Sequence, residues 1–271
     1  MPEISAVIIT LNEEKNIERC IRSVSKVVDE IIVVDSNSTD RTEEIATKLG
    51  AKVYLHDFEG YKEQKNFALS KANYRYILSL DADEALSSEL EESILKVKEK
   101  LDFDGYSFNR LNHYCGYWVR HSNWYPDKKL RLFNSQKGEW KGINPHDRYI
   151  LQRGSRIKHL KGDLLHWVLD SYEAHIEKAN NFSSIAAREY FKLGRKTNAL
   201  TMIWRMSWRF FKAYIIRGGF RDGYNGFVIS SLSAYTSFLK YLKLRQMNIE
   251  AKEKMDKKDD KTIIKIAGQL K

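Results

Sequence analysis

Proline is nearly absent from this chain, with three in 271 residues, and cysteine is rarer still, with two. Two cysteines supply no disulfide framework. Met1 to Thr10 does not read as a secretory leader, since Pro2 and Glu3 stand where a basic segment would and the apolar run is short. The expected setting is therefore reducing and cytoplasmic. No Gly-x-Gly-x-x-Gly follows the first apolar run, and no glycine-rich loop ends in Lys-Ser/Thr. Those absences remove the main support for a dinucleotide site or a P-loop. Long apolar runs are missing too. Gly223 to Leu239 carries no charge, but it contains Asn225, Ser230, Ser231, Ser233, Thr236 and Ser237 and falls short of the roughly 20 apolar residues a membrane span needs. There is no internal repeat or low-complexity segment, and with so little proline the expected hinge is Gly218-Gly219.

Charge is unevenly spread. The net charge is +10, yet residues 1–165 hold 26 basic and 26 acidic side chains, whereas residues 166–271 hold 20 and 10. A neutral N-terminal part argues against a nucleic-acid partner. The positive excess belongs to the C-terminal part.

The N-terminal part alternates strands and helices. Ile4 to Leu11 is a strand-length apolar run, and Asn12-Glu13-Glu14 opens a helix whose apolar positions Ile17, Cys20, Ile21 and Val24 are three and four apart. Ile31 to Val34 is too continuously apolar to have a wet face, as expected inside a parallel sheet. Asp35-Ser36-Asn37-Ser38-Thr39-Asp40 makes the following turn, with Asp40 and Glu43 spaced as a capping box. Lys52 to Leu55 is a third strand, Lys62 to Lys71 a helix and Tyr76 to Leu80 a fourth strand. Repeated strand-helix-strand winding gives an α/β fold with right-handed crossovers.

That fourth strand runs into Asp81-Ala82-Asp83. Ligands of α/β sheets gather beyond the carboxyl ends of strands, and two carboxylates there, with no base beside them in sequence, invite Mg²⁺ or Mn²⁺ holding a diphosphate. The plain alternative is that Asp83-Glu84 caps a helix starting near Ser87-Ser88.

Taken together, Val7-Ile8-Ile9-Thr10-Leu11-Asn12-Glu13, Ile32-Val33-Val34-Asp35-Ser36 with Ser38-Thr39-Asp40, and Asp81-Ala82-Asp83 resemble the family 2 glycosyltransferases of GT-A fold. Trp124-Tyr125-Pro126-Asp127, Leu130 to Phe133, Pro145-His146-Asp147 and Leu165-His166-Trp167 are similar to the branch containing lipopolysaccharide core β-1,4-glucosyltransferases. That branch usually has His-Glu where this chain has His146-Asp147, and an Asp reaches less far. The resemblance runs from about Ile4 to Leu244.

It implies an inverting, metal-dependent glycosyltransferase. The nucleotide-sugar donor, with UDP-glucose favoured, would lie against Thr10, Asn12, Glu13, Asp35 and Asp81, with a divalent ion on Asp83, Asp81 and His166. The ion would offset charge developing on the leaving diphosphate. Asp147 is the candidate base for the acceptor hydroxyl; its plain alternative is a loop carboxylate paired with Arg148. Trp124, Tyr125, Arg131 and His146 are candidate donor or acceptor contacts. Trp118 and, less so, Trp140 could stack on sugars or simply fill a core. Lys128-Lys129 either meet anionic substrate groups or form a solvated cluster. The implied acceptor is a lipid-linked saccharide such as lipopolysaccharide core. A nucleotidyltransferase, or a catalytically silent membrane-surface protein retaining the fold, is the competing reading.

The division expected from sequence is a catalytic domain over residues 1–165 and a basic helical region over 166–271. Tyr172 to Leu193 reads as a helix ended by Gly194. Trp204, Trp208, Phe211 and Ile215 share one stripe, Arg205, Arg209 and Lys212 lie on the stripe beside it, and Val228, Leu232, Tyr235, Leu239 and Leu242 form another. Rings next to cations suit an interfacial helix on anionic lipid, peripheral on the inner membrane face; the other reading packs these stripes on the catalytic domain. The Lys-rich stretch after Arg245 reads as a solvated tail or helix.

Overall fold

A computed structural model describes residues 2–142 and 147–269, with side chains through Glu253. The chain forms two compact units, one of residues 1–113 and 124–168, the other of residues 114–123 and 169–271.

The first unit opens with β1 (Ile4–Thr10), α1 (Ile17–Val24), β2 (Glu30–Asp35), α2 (Thr42–Lys48), β3 (Lys52–Leu55), α3 (Tyr61–Lys71) and β4 (Tyr76–Asp81). Strands β3, β2, β1 and β4 are parallel neighbours in that order. Both faces of β1 are covered. Ala6 and Ile8 pack with Ile17 and Ile21 of α1, while Val7 and Ile9 pack with Ala68 of α3. This two-sided burial is why the strand reads as a continuous apolar run instead of an alternating one.

After β4 the winding changes. Next come β5 (Glu84–Leu86), α4 (Ser88–Lys98), β6 (Gly105–Tyr114), β7 (Tyr117–Val119), β8 (Asp127–Asn134), β9 (Gly138–Lys141), β10 (Arg148–Leu151) and β11 (Ile157–Leu169). The sheet continues from β4 through β8, β6, β11 and β5, with β8 antiparallel to both β4 and β6, and β11 antiparallel to β5. Strands β9 and β10 form a separate ribbon. Ser87, not Asp83 or Glu84, caps α4 through a hydrogen bond from the Leu90 N–H, so the helix-cap alternative for the acidic pair falls away. The capping box at Asp40 and Glu43 does not form either. Asp40 instead accepts hydrogen bonds from the N–H groups of Glu14 and Thr42.

The second unit contains α5 (Tyr172–Lys192), α6 (Ala199–Phe211), a π turn over Lys212–Ile216 and α7 (Gly223–Gln269). Gly194 ends α5 in the left-handed region, at φ 68°. The buried side of α7 is Ile229, Ala234, Tyr241 and Leu244, while Tyr235 and Leu242 of the expected stripe are exposed. Gly218-Gly219 is less a hinge than a close crossing. A Cβ on Gly219 would lie 2.6 Å from Ser122 Oγ and 2.9 Å from the Ala213 carbonyl oxygen. No helix among the described residues is long and apolar enough to cross a membrane.

Buried Asp222 ties the Tyr114–Asn123 segment into this unit. It accepts hydrogen bonds from the N–H groups of Arg120 (3.3 Å) and His121 (2.8 Å) and pairs with His121 Nδ1 at 2.8 Å. Asp222→Ala should therefore lower stability by about 1–3 kcal/mol, since the part-buried donors of Arg120 and His121 lose their buried acceptor. A urea melt followed by tryptophan fluorescence would check this; a loss under about 0.5 kcal/mol, the usual range for a surface change, would contradict it.

Candidate active site

The carboxyl ends of β1, β2 and β4 converge. Thr10 pairs with Asp35 and Ile9 with Asp81 in the parallel register. Asp35 is wholly buried; its Oδ1 accepts the Ser38 N–H at 2.7 Å, and its Oδ2 has no hydrogen-bond partner. Thr10 Oγ1 is likewise buried and unpartnered. Asn12 takes a positive φ of 54°, so that its Oδ1 accepts the Thr39 N–H at 2.8 Å while its own N–H donates to Ser38 Oγ. Two consecutive loops are thereby locked together, leaving two polar atoms, on Thr10 and Asp35, that need an external partner. Glu13 is anchored through its N–H to Thr42 Oγ1. Burial raises its carboxyl pKa, helped by Asp83 and Asp40 and opposed by a hydrogen bond from Asn16.

At the end of β4, the two acids of the Asp-Ala-Asp sequence have different partners. Asp81 meets Arg131 at 2.8 Å and Lys65 at 3.3 Å. Burial opposes its charge, but those two cations prevail and hold its carboxyl well below the usual carboxylate range. Arg131, 4% exposed, also reaches Glu84 at 2.8 Å, and Arg110 bridges Glu84 (3.3 Å) and Asp127 (2.9 Å). The expected mutual repulsion of Asp81 and Asp83 is thus relieved at Asp81 by bases distant in sequence, and Arg131 is a buried member of this network.

Asp83 faces His166 instead. Antiparallel pairing of β5 with β11 sets His166 opposite Glu84, and the Trp167 N–H donates to the Asp83 carbonyl at 3.0 Å. His166 Nε2 consequently lies 3.2 Å from Asp83 Oδ2, while its Nδ1 contacts Asn112 Oδ1 at 2.7 Å. With Nδ1–H donating to the amide oxygen, Nε2 is the ring atom directed at the carboxylate. Asp83 Oδ1 is buried without a hydrogen-bond partner. An oxygen and a nitrogen donor facing each other this closely fit a divalent cation such as Mn²⁺ or Mg²⁺. Among the described residues no cluster of three or more His, Cys, Asp or Glu is arranged to hold a metal. Of the expected set Asp83, Asp81 and His166, Asp83 and His166 face each other, while Asp81 is turned to Arg131 and Lys65.

Beside Asp81 opens a cavity of about 660 Å³, bounded by β8, β9, β10 and Lys65 of α3. Asp147 stands in its wall with Oδ2 2.9 Å from Lys65 Nζ, so its partner is Lys65 and not the neighbouring Arg148. Trp140 belongs to the core, 5% exposed, edge-on to Phe133 and Tyr149. The Tyr125 hydroxyl donates to Asp163 at 2.9 Å, and the Trp124 carbonyl accepts from Asn112. His146 lies outside the described residues. Trp118 belongs to the other unit.

The family model "Glycosyl transferase family 2" matches residues 5–161. The chain belongs to that family. A protein of Rickettsia bellii named "Uncharacterized glycosyltransferase" is 36% identical over 96% of this chain and 92% of its own length. The "Lipopolysaccharide core biosynthesis glycosyltransferase LpsC" of Rhizobium meliloti is 28% identical over 93% of this chain and 96% of its own length. Among solved structures, glucosyl-3-phosphoglycerate synthase from Mycobacterium tuberculosis, in complex with Mn²⁺, uridine diphosphate and glucosyl-3-phosphoglycerate, is 28% identical over 42% of this chain and 45% of that chain, with a TM-score of 0.33. This glycosyltransferase has the GT-A type of α/β fold, with the helical region after it.

Lys65, Arg110 and Asn112 do not stand out in the sequence, and Glu84 stands out there only as a possible helix cap. Lys65 left one signal, being three residues before Ala68 on the inward face of α3; a lysine on a buried helix face needs an anionic partner. Glu84 left another, as an acid opening the fully buried strand Glu84-Ala85-Leu86.

Arg131→Met should cost about 3 kcal/mol, because it takes from Asp81 and from buried Glu84 their nearest cation, leaving Lys65 and Arg110 farther off. The pH sign follows from the depressed Asp81 pKa: the wild-type contribution is present above the ordinary carboxylate range and is lost as pH falls through the depressed value. In the variant, protonation relieves the stranded charge, so urea melts should show a smaller gap between the two proteins at pH 4.5 than at pH 7. Equal stabilities at pH 7 would contradict the network's role.

Proposed function

We propose that this glycosyltransferase moves a sugar, by inverting displacement, from a nucleotide-sugar donor to a lipid-linked saccharide of the lipopolysaccharide-core class. The reading is carried by one observation: buried, unpartnered Thr10 Oγ1, Asp35 Oδ2 and Asp83 Oδ1 at the ends of three adjacent parallel strands. Family membership makes the chemistry glycosyl transfer, and the name of the Rhizobium meliloti relative supports the core-saccharide acceptor. UDP-glucose is the favoured donor on the resemblance noted from the sequence.

In this reading, Asp35 and Thr10 hold the nucleoside, with Asn12 and Glu13 shaping the loops around it. Asp83 and His166 would hold Mg²⁺ or Mn²⁺, which would supply positive charge to the leaving diphosphate. Asp81, engaged by Arg131 and Lys65, orients the strand end. Asp147 takes the acceptor proton through Oδ1, since Lys65 occupies Oδ2. Residues 1–165 form the catalytic domain.

Asp83→Ala should abolish metal-dependent UDP binding while the protein stays folded; calorimetric titration of UDP with and without Mn²⁺ decides it, and an unchanged metal-dependent affinity would contradict the assignment. Asp147→Asn should bind UDP and metal normally yet transfer sugar on the order of 10²-fold or more slowly. Near wild-type transfer would place the base elsewhere, and collapse of donor binding would make Asp147 structural.

Residues 166–271 would hold the enzyme on the inner membrane face. On α6, Trp204 and Trp208 stack at 6.3 Å while 65% and 43% exposed, beside exposed Arg205 and Arg209. That stripe is open, which favours lipid over internal packing as its role. Each Lys or Arg near an anionic surface contributes about 1 kcal/mol. Flotation with anionic liposomes should therefore be strong at low salt, weak at 1 M salt, and lost when Arg205, Arg209 and Lys212 become Glu. Equal flotation of the two proteins would contradict surface binding.

A further inference from the structure

The cavity beside Asp81 carries more positive charge than its own carboxylates use. Six cationic side chains line it, against the three carboxylates Asp81, Asp127 and Asp147. Each carboxylate is already engaged: Asp81 by Arg131 and Lys65, Asp147 by Lys65, and Asp127 by Arg110 and Lys129. Lys128 and Arg148 are left over. Among the described residues, no carboxylate oxygen lies within 4 Å of the charged nitrogens of either. Arg131, although almost wholly buried, keeps an Nε–H with no acceptor. The crowding of cations is felt at Lys129, whose pKa is lowered by burial first and by Arg110 next.

The backbone presents these groups deliberately. Between β6 and β8 the register runs Tyr106 with Leu132 and then Ser107 with Leu130, so Arg131 is the extra residue of a bulge. A bulge re-aims side chains and is common beside active sites. Arg148 comes from the facing ribbon, paired with Lys141.

We propose that this cavity is an acceptor subsite for a saccharide bearing an anionic group, a phosphate or a carboxylate, bound by Lys128 and Arg148. The alternative recipient of the charge is the donor's diphosphate. The strand order opposes it: the unpartnered nucleotide-side atoms belong to β1 and β2, whereas Lys128 stands on β8, on the other side of β4, and Arg148 on the separate β9–β10 ribbon. Together with the proposed glycosyl transfer, on which this inference rests, an anion there would anchor the acceptor while its hydroxyl approaches Asp147.

The test uses the full chain with saturating UDP and Mg²⁺, so that any diphosphate site is filled. Ligand-observed NMR titrations compare glucose 6-phosphate, glucuronate and glucose. At least one of the charged sugars should bind about ten-fold more tightly than glucose, the scale of a charge-assisted contact, and the stronger of the two identifies phosphate or carboxylate. In Lys128→Glu/Arg148→Glu that preference should vanish, with UDP affinity unchanged within two-fold. Equal binding of all three sugars, a preference retained in the variant, or a loss of UDP affinity in place of the sugar preference would overturn the subsite. If UDP fails to bind the wild-type protein at all, the nucleotide-sugar reading fails, while the charged-sugar comparison, repeated without UDP, still decides the subsite.

Discussion

Arg131 is the residue on which the site's electrostatics depend. One guanidinium with little access to water satisfies Asp81 and Glu84, and Arg110 and Lys65 extend the pairing to Asp127 and Asp147. Burying that many charges is costly unless each finds a partner. The pairing settles a division of labour between two acids only one residue apart. Asp81 is turned to the protein cations Arg131 and Lys65, whereas Asp83 points the other way, toward His166.

Much of the first unit was legible because parallel strands buried on both faces leave continuous apolar runs, and the helices between them leave positions three and four apart. β1 to β4 fall where those patterns put them. The antiparallel extension was not legible, since β6, β8 and β11 pair across long separations and nothing local in Gly105–Tyr114 or Asp127–Asn134 specifies the neighbour. The same gap hid the charge network. Asp81 was visible as an acid at a strand end, but its neutralisation by Arg131, fifty residues on, and by Lys65 on α3 is a fact of topology. His166 could be named from Leu165-His166-Trp167, yet only the pairing of β11 with β5 explains why it meets Asp83.

In the second unit the helices were legible from their apolar spacing, but not which way they face. On α7 the stripe chosen by spacing includes exposed Tyr235 and Leu242, while small and polar residues such as Ala234 and Ser230 are buried. Close helix approach selects small side chains, as at Gly226, where a Cβ would lie 1.8 Å from the Gly219 carbonyl oxygen. Hydrophobicity alone therefore misjudges the buried face. The larger rings of α6 remain outside, next to arginines, and so join the chemistry of a surface instead of a core.

The proposed metal pair is Asp83 and His166, and a spectroscopic measurement tests it directly. Pulsed EPR of the full chain with Mn²⁺ and UDP should show nitrogen modulation from one directly bound imidazole, lost in His166→Ala. Nitrogen modulation that survives in His166→Ala, or its absence from a wild-type complex in which Mn²⁺ is bound, would contradict the assignment.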